Sequence, residues 1–224
     1  MLSSLVLSSL VRSVKSAVAS SARIFLLSPA RAGGPRYSLL IREQANFELA
    51  LKLRQGGATV GEVYTFISGL YFRGKMAYVE AFAAAPQGVP PALVMVPGAG
   101  LVPPETAVSL AQLEAISQIP VSENNREYRD ALLSSARLID QHAGPNCAYV
   151  LLGSVASAKY TEPLLAVFGE RLLFPADFAG RGDMSRGGLM LRCAHSRTEL
   201  AYVPVAGSPV HGARPPKLER WRKS

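Results

Sequence analysis

Cysteine is scarce in this 224-residue chain: Cys147 and Cys193 are the only two. Two thiols cannot build a disulfide scaffold or a multi-cysteine zinc module, and they suit a reducing compartment. Histidine is nearly as rare. His142, His195 and His211 share no ligand spacing, which argues against a metal site and against a histidine-based triad. No stretch reaches 18 uninterrupted apolar residues, so the sequence offers no membrane-spanning helix. What is present is apolar content, 49% of residues, enough for the core of one domain and too much for whole-chain disorder.

The net charge of +8 invites a nucleic-acid reading, but it is unevenly placed. The first 42 residues carry Arg12, Lys15, Arg23, Arg31, Arg36 and Arg42 and no acid. Residues 207–224 carry Arg214, Lys217, Arg220, Arg222 and Lys223 against Glu219. Between them, acids slightly outnumber bases. The basic ends could hold polyanions non-specifically, while the middle is close to neutral. Residues 1–22 are serine-rich, with Leu2, Leu5, Val6, Leu10, Val14 and Val18 near helical spacing. Their charges follow the apolar part, the wrong order for a secretory signal. They read either as a loose extension of a cytoplasmic protein or as an organelle transit peptide.

Continuous apolar runs mark buried strands at 23–28, 92–96, 147–152, 171–174 and 200–205. Helical periodicity marks 37–54, 59–85, 105–118, 123–142, 162–168 and 183–195. Thr59 and Glu62 form a capping box at the head of the second of these, and Pro163 falls in the first turn of the 162–168 helix. Strands alternating with helices predict an α/β domain over 23–206: a three-layer, Rossmann-like fold around a mostly parallel sheet of about five strands. A basic, proline-rich tail follows over 207–224.

In such a sheet, ligands bind beyond the C-terminal ends of the strands. Four of these ends carry small or glycine-rich loops, which place Ser28 and Gly33, Gly98 and Gly100, Gly153, Ser154, Lys159 and Tyr160, and finally Arg181, Ser185 and Arg186 around a candidate pocket. Glycines let backbone approach a ligand, and helix N-termini favour anions; the same glycines also serve as ordinary turns. Arg181 and Arg186 have the forked geometry to hold a carboxylate or phosphate. Glu162, Asp177 and Asp183 are the candidate catalytic carboxylates, with helix capping or surface charge as their plainer roles.

Standard motifs fail. After Gly180 and Gly182, a dinucleotide fingerprint needs glycine where Ser185 stands, and a P-loop from Gly182 needs lysine where Gly188 stands. A Tyr-x-x-x-Lys pair from Tyr160 meets Leu164, and a nucleophile elbow around Ser154 meets Leu152. No cofactor and no metal is expected from these patterns.

The segments FISGLYFRGKMAY (66–78) and LLFPADFAGRGDMSRGGLMLR (172–192) resemble those of an uncharacterised conserved bacterial protein family. IFLLSPA (24–30) and Tyr160-Thr161-Glu162-Pro163-Leu164 are faintly similar to small Rossmann-like proteins related to nucleoside deoxyribosyltransferases and bacterial peroxide-stress proteins. That resemblance implies a Rossmann-like fold and a glutamate nucleophile, for which Glu162 is the nearest candidate. The leading expectation is a nucleotide- or nucleoside-like small molecule bound at the strand ends, with N-glycosidic hydrolysis or transfer as its chemistry. The alternative is a non-enzymatic module that binds nucleic acid through its basic tails, or a protein partner through the 59–85 helix.

Overall fold

The computed structural model describes residues 22–208 together with 212, 215, 216 and 218. The expected N-terminal extension, except Ala22, and the basic side chains of the tail lie outside the described residues. In chain order the elements are β1 (Arg23–Leu27), α1 (Pro35–Ile41), α2 (Glu48–Arg54), β2 (Ala58–Thr59), α3 (Val60–Ser68), α4 (Leu70–Phe82), β3 (Ala92–Val96), β4 (Gly100–Val102) and β5 (Ala107–Val108). There follow α5 (Leu110–Ser117), α6 (Arg126–Ala143), β6 (Ala148–Leu152), α7 (Ala158–Phe168), β7 (Leu172–Pro175), α8 (Asp183–Ser196) and β8 (Tyr202–Pro204).

The main sheet runs β4-β3-β1-β6-β7-β8. Its inner four strands are parallel: Phe25 of β1 faces Ala92 of β3 on one side and Val150 of β6 on the other, and Tyr149 of β6 faces Leu172 of β7. The edge strands β4 and β8 are antiparallel. The runs that read as buried strands are buried at every position of β1, β3 and β7, as expected for strands covered on both faces. The chain is thus α/β with a mostly parallel sheet, of six strands rather than about five. The additional strand is β4, which folds back on β3 through the turn at 97–99.

Two expected helices are each split. The 37–54 segment breaks between α1 and α2, where the Arg54 guanidinium donates to the Arg42 and Ala45 carbonyls and fixes the corner. The 59–85 segment breaks at Gly69, whose φ of +58° interrupts the helix between α3 and α4. A side chain at that position would meet the Arg36 guanidinium, which donates to the Phe66 carbonyl. The capping box at Thr59 and Glu62 is formed, and a second one, Ser109 with Gln112, opens α5. The first half of the expected 105–118 helix is instead β5, paired with β2. The 162–168 helix starts earlier, at Ala158, so Pro163 lies inside α7 rather than in its first turn.

The sheet order contains a reversal. From β1 the chain moves through α1–α4 to β3 on one side, then crosses through α5 and α6 to β6 on the other. Beyond the C-terminal ends of β1 and β6 this leaves a crevice, the usual ligand position of an open parallel sheet. No helix among the described residues is long and apolar enough to cross a membrane.

Candidate functional site

Ser28 follows β1 directly, and its N–H donates to the Leu152 carbonyl at the end of β6, 3.4 Å away. Gly153 follows β6, and a Cβ there would stand 3.0 Å from the Ser28 Cβ. The two strand ends therefore meet at Ser28 and Gly153. Above them opens a cleft of about 810 Å³, walled by the loop after β1, by α3 and α4 at Tyr64 and Tyr71, by α5, by the segment 154–160 and by Asp183.

The floor of the site comes from α4. That helix lies against α8 so closely that a Cβ on Gly74 would stand 2.6 Å from the Gly187 carbonyl oxygen, and one on Gly187 would stand 2.7 Å from that of Leu70. Glycine inside a helix weakens it by about 1 kcal/mol relative to alanine, and here it permits backbone-to-backbone approach. The approach brings Lys75, the residue after Gly74, under the end of β1. Its side chain is 1% exposed. Nζ donates to the Ser28 carbonyl and lies 2.8 Å from the Ser28 Oγ, also 2.8 Å from that carbonyl oxygen. It sits 4.1 Å from the centre of the Tyr71 ring. Among the described residues no carboxylate forms an ion pair with it. Burial pushes the Lys75 ammonium down to about 7; Asp183 opposes the shift and Arg186 adds to it.

Tyr71 lines the cleft beside this amine. Its hydroxyl is buried and meets no partner in hydrogen-bond geometry. Burial pushes that phenol up to about 12, with Asp183 adding to the rise and the nearby Arg186 and Ser28 side chains pulling it back. A buried polar group without a partner costs about 1–3 kcal/mol and is often completed by a ligand or a water.

Of the residues expected from sequence, Ser28, Ser154, Lys159, Tyr160 and Asp183 line the cleft, and Gly153 abuts Ser28 at its base. The others are placed elsewhere. Gly33 borders a smaller hollow with Tyr37 and Ile41. Gly98 and Gly100 belong to the β3–β4 turn: Gly100 pairs with Val96 and rests on Ser135 of α6, so the loop is a hairpin, and of it Pro97 lines the cleft. The Arg181 guanidinium donates to the Asp177 carbonyl and to the Ser185 hydroxyl, which ties the loop before α8 to the first turn of that helix. Arg186 is buried and donates through Nε and Nη2 to the Phe178 carbonyl, so its fork holds the protein's own backbone. Glu162 lies in a half-exposed ion pair with Arg129 at 3.1 Å, away from the cleft. Asp183 is thus the one carboxylate among the described cleft-lining residues, which also include the cations Arg31 and Lys159, and it pairs with Arg186 at 3.7 Å.

Neither Lys75 nor Tyr71 is among the residues expected from the sequence. A signal was available: Tyr71, Lys75, Tyr78 and Phe82 fall at helical spacing on one face, so the lysine interrupts an apolar stripe.

Among the described residues no group of three metal-ligating side chains gathers. No family model, no curated protein and no solved structure matches the chain.

Proposed function

We propose that the cleft beyond β1 and β6 binds a nucleotide- or nucleoside-like small molecule, in a three-layer, Rossmann-like arrangement. The strand order supports the layering: with β3 and β6 on opposite sides of β1, crossovers of the usual right hand would put α1–α4 on one face of the sheet and α5–α7 on the other. The observation that carries the binding reading is the coincidence of three features at the reversal of strand order: the cleft, Tyr71 on its wall with a buried hydroxyl that has no partner, and the cations Arg31 and Lys159 among its lining residues. An anionic group suits the cations, and a polar ring or sugar edge suits the hydroxyl. Within this reading Asp183 is the carboxylate available for an N-glycosidic step. Cys147 and Cys193 are free and buried, which suits a reducing, cytoplasmic setting.

The test is thermal melting of the full chain against nucleosides, nucleotides and sugar phosphates. A ligand at a hundred times its Kd stabilises the native state by about 2.7 kcal/mol, a rise readily seen in Tm. Lys159→Ala should shrink the rise for phosphate-bearing ligands more than for nucleosides. A panel that leaves Tm unmoved overturns the reading.

A further inference from the structure

We propose that Ser28 is a nucleophile and Lys75 its general base, so that the cleft performs acyl transfer to or from water on an ester or other activated acyl compound. The inference uses the same cleft as the binding reading but does not require a nucleotide ligand.

The geometry carries it. Ser28 Oγ and Lys75 Nζ are 2.8 Å apart, the reach expected of a nucleophile and its base. Ser28, 4% exposed, lines the base of the cleft and Lys75 does not, so the serine lies between the cleft and the amine. The amine is held in place by the Ser28 carbonyl, which takes one of its N–H bonds at 2.8 Å. The charged amine donates to Oγ, and Oγ donates to the Leu152 carbonyl at 3.5 Å, a bond too long to compete well with a neutral Nζ for the serine proton. Burial without a carboxylate partner favours the neutral amine, the form that can accept a proton. The Tyr71 hydroxyl, unpartnered and beside Ser28, is a donor for the oxyanion that forms.

The step balances without a co-reactant other than water. Ser28 Oγ bonds to the acyl carbon as its proton passes to Lys75 Nζ. The bond from that carbon to the leaving oxygen then breaks, and Lys75 returns the proton to the leaving group. Water attacks the acyl-serine, gives a proton to Lys75, and the proton goes back to Ser28 Oγ as the acid departs.

The test is reaction of the full chain with a small fluorophosphonate from pH 6 to 9. Here an Oγ–P bond forms, the P–F bond breaks and fluoride leaves. The adduct is mapped by peptide mass spectrometry. The expected result is a single adduct on Ser28, forming faster as pH rises through about 7, where Lys75 becomes neutral. The groups facing Lys75 in that titration are Ser28 from the loop after β1, Tyr71 from its own helix, and Asp183 and Arg186 from α8. Lys75→Met should slow labelling at least about 100-fold, the usual worth of a general base. No adduct on folded protein, an adduct on Lys75 instead, or an equal rate in Lys75→Met overturns the proposal. If that variant does not fold, a pH-independent rate in the unsubstituted protein overturns it as well. Melting against the nucleotide panel is read in parallel. A Ser28 adduct with a flat panel keeps the dyad and removes the nucleotide reading, and a panel response without an adduct does the reverse.

Discussion

The two edges of the parallel sheet each hold a cluster of a cation and a tyrosine, built to opposite ends. At the N-terminal edge, Arg171 forms a two-pronged pair with Asp140, both prongs at 2.7 Å, and reaches the Gly144 and Cys147 carbonyls. The Tyr149 hydroxyl donates to the same carboxylate at 2.8 Å, and its ring stacks on Phe168. Each polar group there has its complement, and the guanidinium holds the Asp140 carboxyl below the usual range. At the C-terminal edge, Lys75 is buried deeper with no carboxylate in an ion pair with it among the described residues, and the Tyr71 hydroxyl is left without a partner. A satisfied cluster stabilises a fold. An unsatisfied one costs stability and persists where a ligand or a reaction completes it. The difference separates structural polarity from the polarity of a site, although the residue types are much the same.

The largest change that would break this contrast is Gly187→Val. Its side chain would collide with the Leu70 backbone, part α4 from α8 and draw Lys75 away from Ser28. We expect a loss of about 3 kcal/mol or more in urea unfolding, at the upper end for an overpacked core. Next is Arg171→Ala at the other edge. It should cost about 2–3 kcal/mol, the worth of charge-assisted bonds that are mostly shielded from water, and leave Ser28 labelling unchanged. The Asp140 carboxyl is lowered in the folded state, so this contribution is present above its unfolded pKa. The gap between the two proteins should close as pH falls through the lower folded value.

Lys75 gives a slope of the same sign in a higher pH window, but from a penalty on its charged form rather than a stabilisation. Its folded pKa of about 7 lies below its unfolded one, so between the two values the unfolded chain binds more protons and stability rises with pH. Below about 7 both states are protonated and the penalty of the buried charge is complete. Lys75→Met should remove this slope, at most about 1.4 kcal/mol per pH unit, visible as a variant whose relative stability is greatest at acid pH. The smallest and sharpest comparison is between two Tyr→Phe changes. Tyr149→Phe removes a made hydrogen bond and should cost about 1 kcal/mol, whereas Tyr71→Phe removes an unpartnered hydroxyl and should be neutral or stabilising. Equal losses in chemical denaturation would erase the distinction between the edges.

Much of the architecture was legible in the sequence. RIFLL, ALVMV and AYVLL read as strands because burial on both faces leaves no polar alternation. Thr59 and Glu62 announced the start of α3 because a capping box is local chemistry within four residues. The break at Gly69 was not legible, since an amphipathic stripe runs across it and the turn is fixed by Arg36, far away in the chain. The loop at Pro97–Gly100 has the composition of a ligand loop, and only its pairing shows it to be a hairpin.

The site divides along the same line. Ser28, Lys159, Tyr160 and Asp183 were found because the ends of parallel strands gather at one edge by topology, and topology follows from the order of elements. Lys75 lies 47 residues from Ser28, and nothing local links them. By itself the sequence determined the strands, most helix faces and the edge at which a ligand would sit, because periodicity and caps act over a few residues. Only the tertiary structure decided which cations are buried, which tyrosine hydroxyls are left unpartnered and which serine meets an amine. Those properties arise where α4 and α8 touch at Gly74 and Gly187, and contact between distant segments depends on packing that local pattern does not specify.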